Sequence, residues 1–177
     1  MPVNVDTKEI RLSNGTLIVK DDSNNDVELG LLTDVKFTAD KEVAYIEADN
    51  GKVWPFEKYT KATLSANLKN FNIEKLKLLA GGNMTIVDAA SSPTGNERKV
   101  LTIDGAIRAL SGREVLFKTT DSNGKEWWVK LFNAYASKGL DLDLPSSYKI
   151  DDVTSLSIEF TAEGDGNIFE IYDEQYN

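Results

Sequence analysis

Apolar and polar residues alternate with a period of two along most of this chain. The clearest case is Ser155–Ala162, where Leu156, Ile158, Phe160 and Ala162 fall on one face and Ser155, Ser157, Glu159 and Thr161 on the other, the signature of a half-buried β-strand. Leu64, Ala66 and Leu68 alternate with Thr63, Ser65 and Asn67, and Val35, Phe37 and Ala39 with Lys36 and Thr38. Turn residues break the alternation at short intervals: "SNGT" between Ile10–Leu12 and Leu17–Val19, "DNG" at Asp49–Gly51 after a segment at Val43–Ala48, "DSNGK" between Glu114–Thr119 and Glu126–Asn133, and "EGDGN" before Ile168–Tyr172. Pro55 in "KVWPFEKYT" predicts an edge or an extended bend there. "MTIVDA" and "RKVLTIDGA" read as strands around the breaker-rich "ASSPTGNE", and Asp141–Leu144 as a short strand before Pro145.

One stretch departs from this period. "NFNIEKLKLLAGGN", Asn70 to Asn83, reads as a helix, capped by Asn70 or Asn72 and stopped by Gly81. Ile73, Leu76, Leu79 and Ala80 share one side, while Leu78 falls among the polar positions. About two turns are too few to be stable alone, so the helix is a docking element. It packs under a neighbouring loop of its own chain or meets another subunit, and Leu78 is the residue that separates the two readings. The sum is a mainly β chain of about ten strands, a sandwich or barrel with a single short flanking α-helix. Residues 1–177 read as one domain, with 1–27 as an N-terminal hairpin or extension.

The composition narrows the function by what it lacks. The chain has no Cys and no His, so thiolate chemistry, imidazole bases and His-ligated metals are absent. No cofactor, metal or catalytic residue is expected, and the enzyme reading reduces to carboxylates such as Asp141 and Asp143. No apolar run reaches the length of a membrane span, and "MPVNVDTKEI" shows no secretion signal. The net charge is −9. From Asp151 to Asn177 there are eight acids and no Lys or Arg, which leaves 21 acids against 20 bases in the remainder; such a balance does not bind nucleic acid through its phosphates. "EGDGNIFE" and "DSNGKE" lack the ligand spacing of an EF-hand loop, and Gly81–Gly82 lacks the Lys and Ser/Thr of a phosphate loop. Trp127 and Trp128, on opposite faces of one strand, suit a core and an interface position; with Trp54 they also offer a stacking platform for sugars.

What remains is a small, weakly charged polar face: Ser65, Asn67, Ser155, Ser157, Glu159 and Thr161. Such a face can look onto bulk water or into a wide aqueous channel closed by strands from several chains. The order "ELGLLTDVKFTADKE", "VAYIEADNGKVWPFEKYTKATLSANL", "NFNIEKLKLLAGG" and "VTSLSIEFTAEGDG…IFEIYD" resembles the major tail tube proteins of long-tailed bacteriophages over about Glu28 to Gln175. That fold is shared with contractile-tail and type VI secretion tubes.

The resemblance implies homohexameric rings stacked into a hollow virion tail tube, assembled in the bacterial cytoplasm, with the polar face lining the lumen. Double-stranded DNA would pass through without sequence-specific binding, after a tape-measure protein that fills the lumen beforehand. Tail terminator and baseplate proteins, and in a contractile tail a sheath, are the implied partners, with no membrane insertion by this chain. Candidate inter-subunit residues are Leu78, then Trp54, Phe56 and Tyr59 in "DNGKVWPFEKY" and Asp22, Asn24 and Asn25 in "DDSNNDVELG", two regions expected to order only when neighbours bind. The alternatives are another tail component (hub, terminator or baseplate) or a β-sandwich carbohydrate-binding module.

Overall fold

Ten strands and one α-helix make up the computed structural model, which describes residues 15–47, 49, 51, 53–81, 83–91, 95–105, 112–120, 124–143 and 155–173. The expected strand at Ile10–Leu12, and with it most of the 1–27 extension, lies outside the described residues.

The strands are β1 (Gly15–Lys20), β2 (Asp26–Glu47), β3 (Val53–Lys69), β4 (Asn83–Val87), β5 (Arg98–Thr102), β6 (Arg113–Thr120), β7 (Glu126–Ala136), β8 (Asp141–Asp143), β9 (Ser155–Glu163) and β10 (Phe169–Asp173), with α1 (Ile73–Ala80) after β3. Their order in the main sheet is β10-β7-β6-β1-β2-β3-β9-β8, and β7 also pairs with β9. That last pairing closes six strands, β1, β2, β3, β9, β7 and β6, into a barrel. Of the two architectures left open by the sequence, the barrel is the one found.

Period-two patterning decides what fills it. Leu17 and Val19 from β1, Leu64 and Leu68 from β3, Val115 and Phe117 from β6, Val129 and Leu131 from β7, and Leu156 and Phe160 from β9 are all buried inside. Each alternates with a half-exposed neighbour on the outer face. Closure leaves these strands no lengthwise edge within the ring except where pairing stops.

Two backbone irregularities bend the strands enough to close. Between Leu17 and Ile18 the β1–β2 register slips, and Gly30 sits opposite at φ 143. A Cβ there would lie 2.7 Å from the Lys69 carbonyl, so only glycine fits. On β7, Asn133 adopts a left-handed φ of 49 and marks where the strand changes partner. Trp127–Leu131 pair with β10, and Tyr135 and Ala136 pair with β9. A Cβ on Gly112 would come within 1.8 Å of the Asn133 side-chain oxygen, so the approach to that kink also requires glycine.

Val35–Ala39 and Val43–Ala48 read as separate segments, but, Ala48 apart, which lies outside the described residues, they belong to one 22-residue strand. Its interruptions are register shifts at Thr33/Lys36 and Asp40/Lys41, with Asp34 at a left-handed φ of 54. A bulge bends a strand without ending it, whereas the sequence pattern shows only the break. β4 and β5 pair with each other in a separate two-stranded sheet, not with the barrel.

Candidate functional site

The polar residues singled out from the sequence come together on one outer face, that of β2, β3, β9 and β8. Cross-strand register sets Lys36 beside Ser65 and Ser65 beside Glu159, Thr38 beside Thr63, and Asn67 beside Ser157. Asp141 pairs with Ser157, and β8 also reaches Ser155. Side-chain bonds knit the face: Asn67 Nδ2 donates to Asp34 at 2.9 Å, Ser137 Oγ to Glu159 at 2.7 Å, and Lys138 Nζ to Ser157 at 2.9 Å. Tyr135 donates its hydroxyl to Glu163 at 2.7 Å, which raises the Tyr135 pKa above its ordinary value.

Among the described side chains, five acids (Asp34, Asp40, Asp141, Glu159, Glu163) share this face with four bases (Lys36, Lys61, Lys69, Lys138). The wall therefore holds more Lys than the few cations expected of it. Lys61 and Lys69 continue the alternation of Thr63, Ser65 and Asn67 along β3 itself, whereas Lys36 comes from β2 through its register with Ser65 and Lys138 through its bond to Ser157.

Thr161 is corrected. It lies on the same face but is 1% exposed, because the end of β7 pairs over it and its hydroxyl donates to Ser137 at 3.0 Å. It cannot line a channel. Ser65, Asn67, Ser155, Ser157 and Glu159 remain half-exposed.

Beyond the Asp40/Lys41 shift, β2 and β3 leave the barrel as a two-stranded arm, pairing Lys41 with Tyr59 through Glu47 with Val53. One face of this ribbon carries Val43, Tyr45 and Val53; the other carries Ile46 and Phe56. All are exposed, Tyr45 at 67%. Pro55 pairs with Tyr45 here, where the outer side of β3 has no ladder partner among the described residues, as its missing N–H requires. The foot of the arm is fixed. Tyr59 and Phe37 both set their rings edge-on against Phe169, at 5.6 and 5.2 Å, and Lys58 forms an ion pair with Asp165. Phe56 and Tyr59 thus stand where an inter-subunit contact could use them; the Trp54 side chain lies outside the described residues.

The Asp22–Asn25 loop was expected to be mobile, and the structure corrects that. One oxygen of the Asp21 carboxylate accepts the Ser23 and Asn25 backbone amides at 2.9 and 2.8 Å, Asn24 takes a left-handed φ of 63, and Arg113 binds Asp22 at 2.6 Å. A preformed turn of this kind needs no neighbour to order it. The Asn25 amide holds the Asp21 carboxyl below its ordinary value of 3.8, so this stabilisation is present above that pH and is lost as pH falls through the lowered value. In an acid titration followed by NMR, the Ser23 and Asn25 amide protons should shift with a midpoint below 3.8; a midpoint at or above it would mean the carboxylate is not so held.

For α1, Asn72 is the N-cap, accepting the Lys75 amide at 2.9 Å, and Gly81 the C-cap, its N–H on the Lys77 carbonyl. Asn70 instead turns the chain out of β3 with a φ of 58. Leu78, named as an inter-subunit candidate, is half-buried and packs with Leu76 and Leu79 against the core. The helix is wedged between the barrel and the β4–β5 hairpin, to which Glu74 is tied by Lys99. Its exposed side carries Glu74 and Lys77, while Leu76, Leu78 and Leu79 turn to the core.

Trp128 is no open platform. Lys118 Nζ sits 4.4 Å over its ring, its Nε1 donates to Glu126 at 3.0 Å, and Tyr172 meets it edge-on at 6.5 Å. Trp127 is half-buried, not in the core as one of the two was expected to be. Among the described residues no group of three or more His, Cys, Asp or Glu could hold a metal, and no helix is long and apolar enough to cross a membrane.

No family model matches the chain, and no curated protein matches its sequence. Solved structures do share its fold. A chain of the PVC sheath–tube complex of an extracellular contractile injection system, in its extended state, superposes with a TM-score of 0.50 at 9% identity, over 97% of this chain and 95% of that one. The cap that terminates the tube of the anti-feeding prophage (TM-score 0.47, 12% identity, 89% and 88% covered) and the PVC sheath/tube terminator (0.46, 10%, 99% and 98%) are more remote, too remote to bear on this chain. The chain thus has a tail-tube-like fold.

Proposed function

We propose that this chain is the subunit of a hollow tail tube, built from homohexameric rings stacked on one another, through which double-stranded DNA is delivered. The observation that carries this reading is the arm. A closed barrel has already buried its own apolar residues, yet Val43, Tyr45, Ile46, Val53 and Phe56 stand exposed on both faces of a ribbon. A lone two-stranded ribbon is marginal in water, and apolar surface on both of its faces calls for covering by other chains.

Two further features support it. The polar face belongs to a sheet whose outer strands both carry open ladder positions: β1 covers β2 only as far as Leu32, and β8 pairs only with β9 among the described residues. Unlike edges of this kind join head to tail, which generates a ring. The face itself, with five acids to four bases among the described side chains, offers phosphate no excess of cations, so DNA slides along it instead of adhering. The tape-measure protein before ejection, the terminator and baseplate at the two ends of the tube, and a sheath where the tail contracts complete the set of partners. The site of action is the virion tail, after assembly in the host cytoplasm.

Electron microscopy of the concentrated protein tests this reading. Six-fold rings or hollow tubes are the expected result; a sample that stays monomeric and featureless at high concentration overturns it.

A further inference from the structure

Along the barrel seam, β9 pairs with β8 through Ser155–Ser157 and with β7 only at Phe160 and Thr161. Past the Ser137 N–H, which still bonds the Glu159 carbonyl at 2.9 Å, the chain from Lys138 to Leu140 leaves the sheet. Below the gap lies a cavity of about 480 Å³ whose floor is made by the core side chains Leu156, Ile158 and Phe160, with Leu79 of α1 as one wall. Leu140 and Ile103 on its lining are 41% and 46% exposed. The volume is that of a site which holds a bound group. The charged groups at its lining are already engaged, Lys138 with Asp141 and Ser157 and Glu159 with Ser137, so the cavity suits an apolar side chain.

The arm carries such side chains, and its own cavity is out of its reach. After leaving the arm, β3 pairs first Lys61 with Glu163 and last Leu68 with Leu156. The cavity floor begins at the Leu156 end, and the arm projects beyond the Glu163 end. A contact between the two therefore joins separate copies head to tail, a heterologous joint that propagates instead of closing as a dimer.

We propose that the arm of one copy seats its apolar side chains in the seam cavity of the next copy. The inference rests on the tube reading and adds the surface that the arm meets. Val43, Tyr45, Ile46, Val53, Phe56 and Tyr59 are each about half exposed or more. With aromatic side chains at roughly 150–250 Å² and aliphatic ones somewhat smaller, either face of the arm offers the cavity on the order of 200–300 Å² of apolar surface.

The chain has no Cys, so introduced thiols report only on each other. Two double variants, Tyr45→Cys with Leu140→Cys and Phe56→Cys with Leu140→Cys, place a thiol on either face of the arm and one at the cavity mouth. They are oxidised with diamide as assembled protein and run on a non-reducing gel. Since only one face of the ribbon can point into the cavity, one pair should give a ladder of dimer, trimer and higher species, and each single variant should give dimers at most. Rings or tubes in the microscope without a ladder from either pair would place the arm elsewhere and leave the tube reading standing. Absence of both assembly and ladder would overturn both. A cross-linked monomer would show arm and cavity meeting within one chain, and would overturn the inference alone.

Discussion

Phe117→Ala should lower the stability of the monomer by about 3–5 kcal/mol, the largest effect expected of any single truncation in this chain. Phe117 is fully buried at the middle of β6, directly across from Leu17 on β1 and from Val129 on β7. A barrel interior is a closed volume, and the strands around it are held by continuous ladders that cannot collapse inward to fill a vacated ring. The cost therefore includes the cavity as well as the lost transfer energy. Against a total stability of about 5–15 kcal/mol, the variant keeps its fold by a small margin, with a melting point lowered by on the order of 10 °C. Urea unfolding measures it: the midpoint should fall with an unchanged slope. A loss under about 1 kcal/mol would mean that Phe117 does not fill a closed barrel.

Phe117 also shows what the sequence can and cannot tell. Val115, Leu116 and Phe117 are all apolar, so alternation does not single it out, whereas in β9 the inward and outward faces were legible residue by residue. Alternation reports the face of a strand and is silent on its neighbour. Thr161 alternates correctly with Phe160 and Ala162, yet it is buried because Tyr135 arrives beside it, and that pairing depends on one left-handed residue, Asn133. Asparagine inside "KLFNAYA" carries no mark that the strand will change partner there. Leu78 likewise fell among the polar positions because a helix of eight residues was judged by its own projection, whereas in the fold it is half-buried and packs against the core. In the Asp21–Asn25 turn, the residues that suggested a loose loop are the ones that bind their own backbone, since short polar side chains serve a tight turn as readily as disorder.

The arm was the least legible element. "VAYIEADNGKVWPFEKY" reads as two ordinary strands and a turn, and nothing local says that the barrel ends before it. The Asp40/Lys41 register shift is where the sheet leaves the core, and only the partners of β3 reveal it. Lys61–Leu68 have β9 on their far side, and Val53–Thr60 have no strand there among the described residues. The apolar residues of this segment are therefore spent on something other than folding.

Ile46→Glu combined with Phe56→Glu should abolish assembly while leaving the monomer folded. Both residues lie on one face of the arm, 56% and 55% exposed, and neither belongs to the buried core. Burying the exposed half of each against a neighbour is worth about 1–1.5 kcal/mol, and the introduced carboxylates add a desolvation cost wherever the contact excludes water. Losing roughly 3 kcal/mol weakens each joint by about 100-fold, and a closed ring multiplies that loss because every copy carries the same defect. Val43→Glu with Tyr45→Glu makes the same change on the opposite face. Sedimentation velocity should show monomers for both double variants at concentrations where the parent forms rings or tubes, with unchanged circular dichroism and urea midpoint. If only one pair matters, the arm is covered on one side alone and its other face meets water. Wild-type assembly by both variants would leave its exposed apolar residues without a role in building the tube.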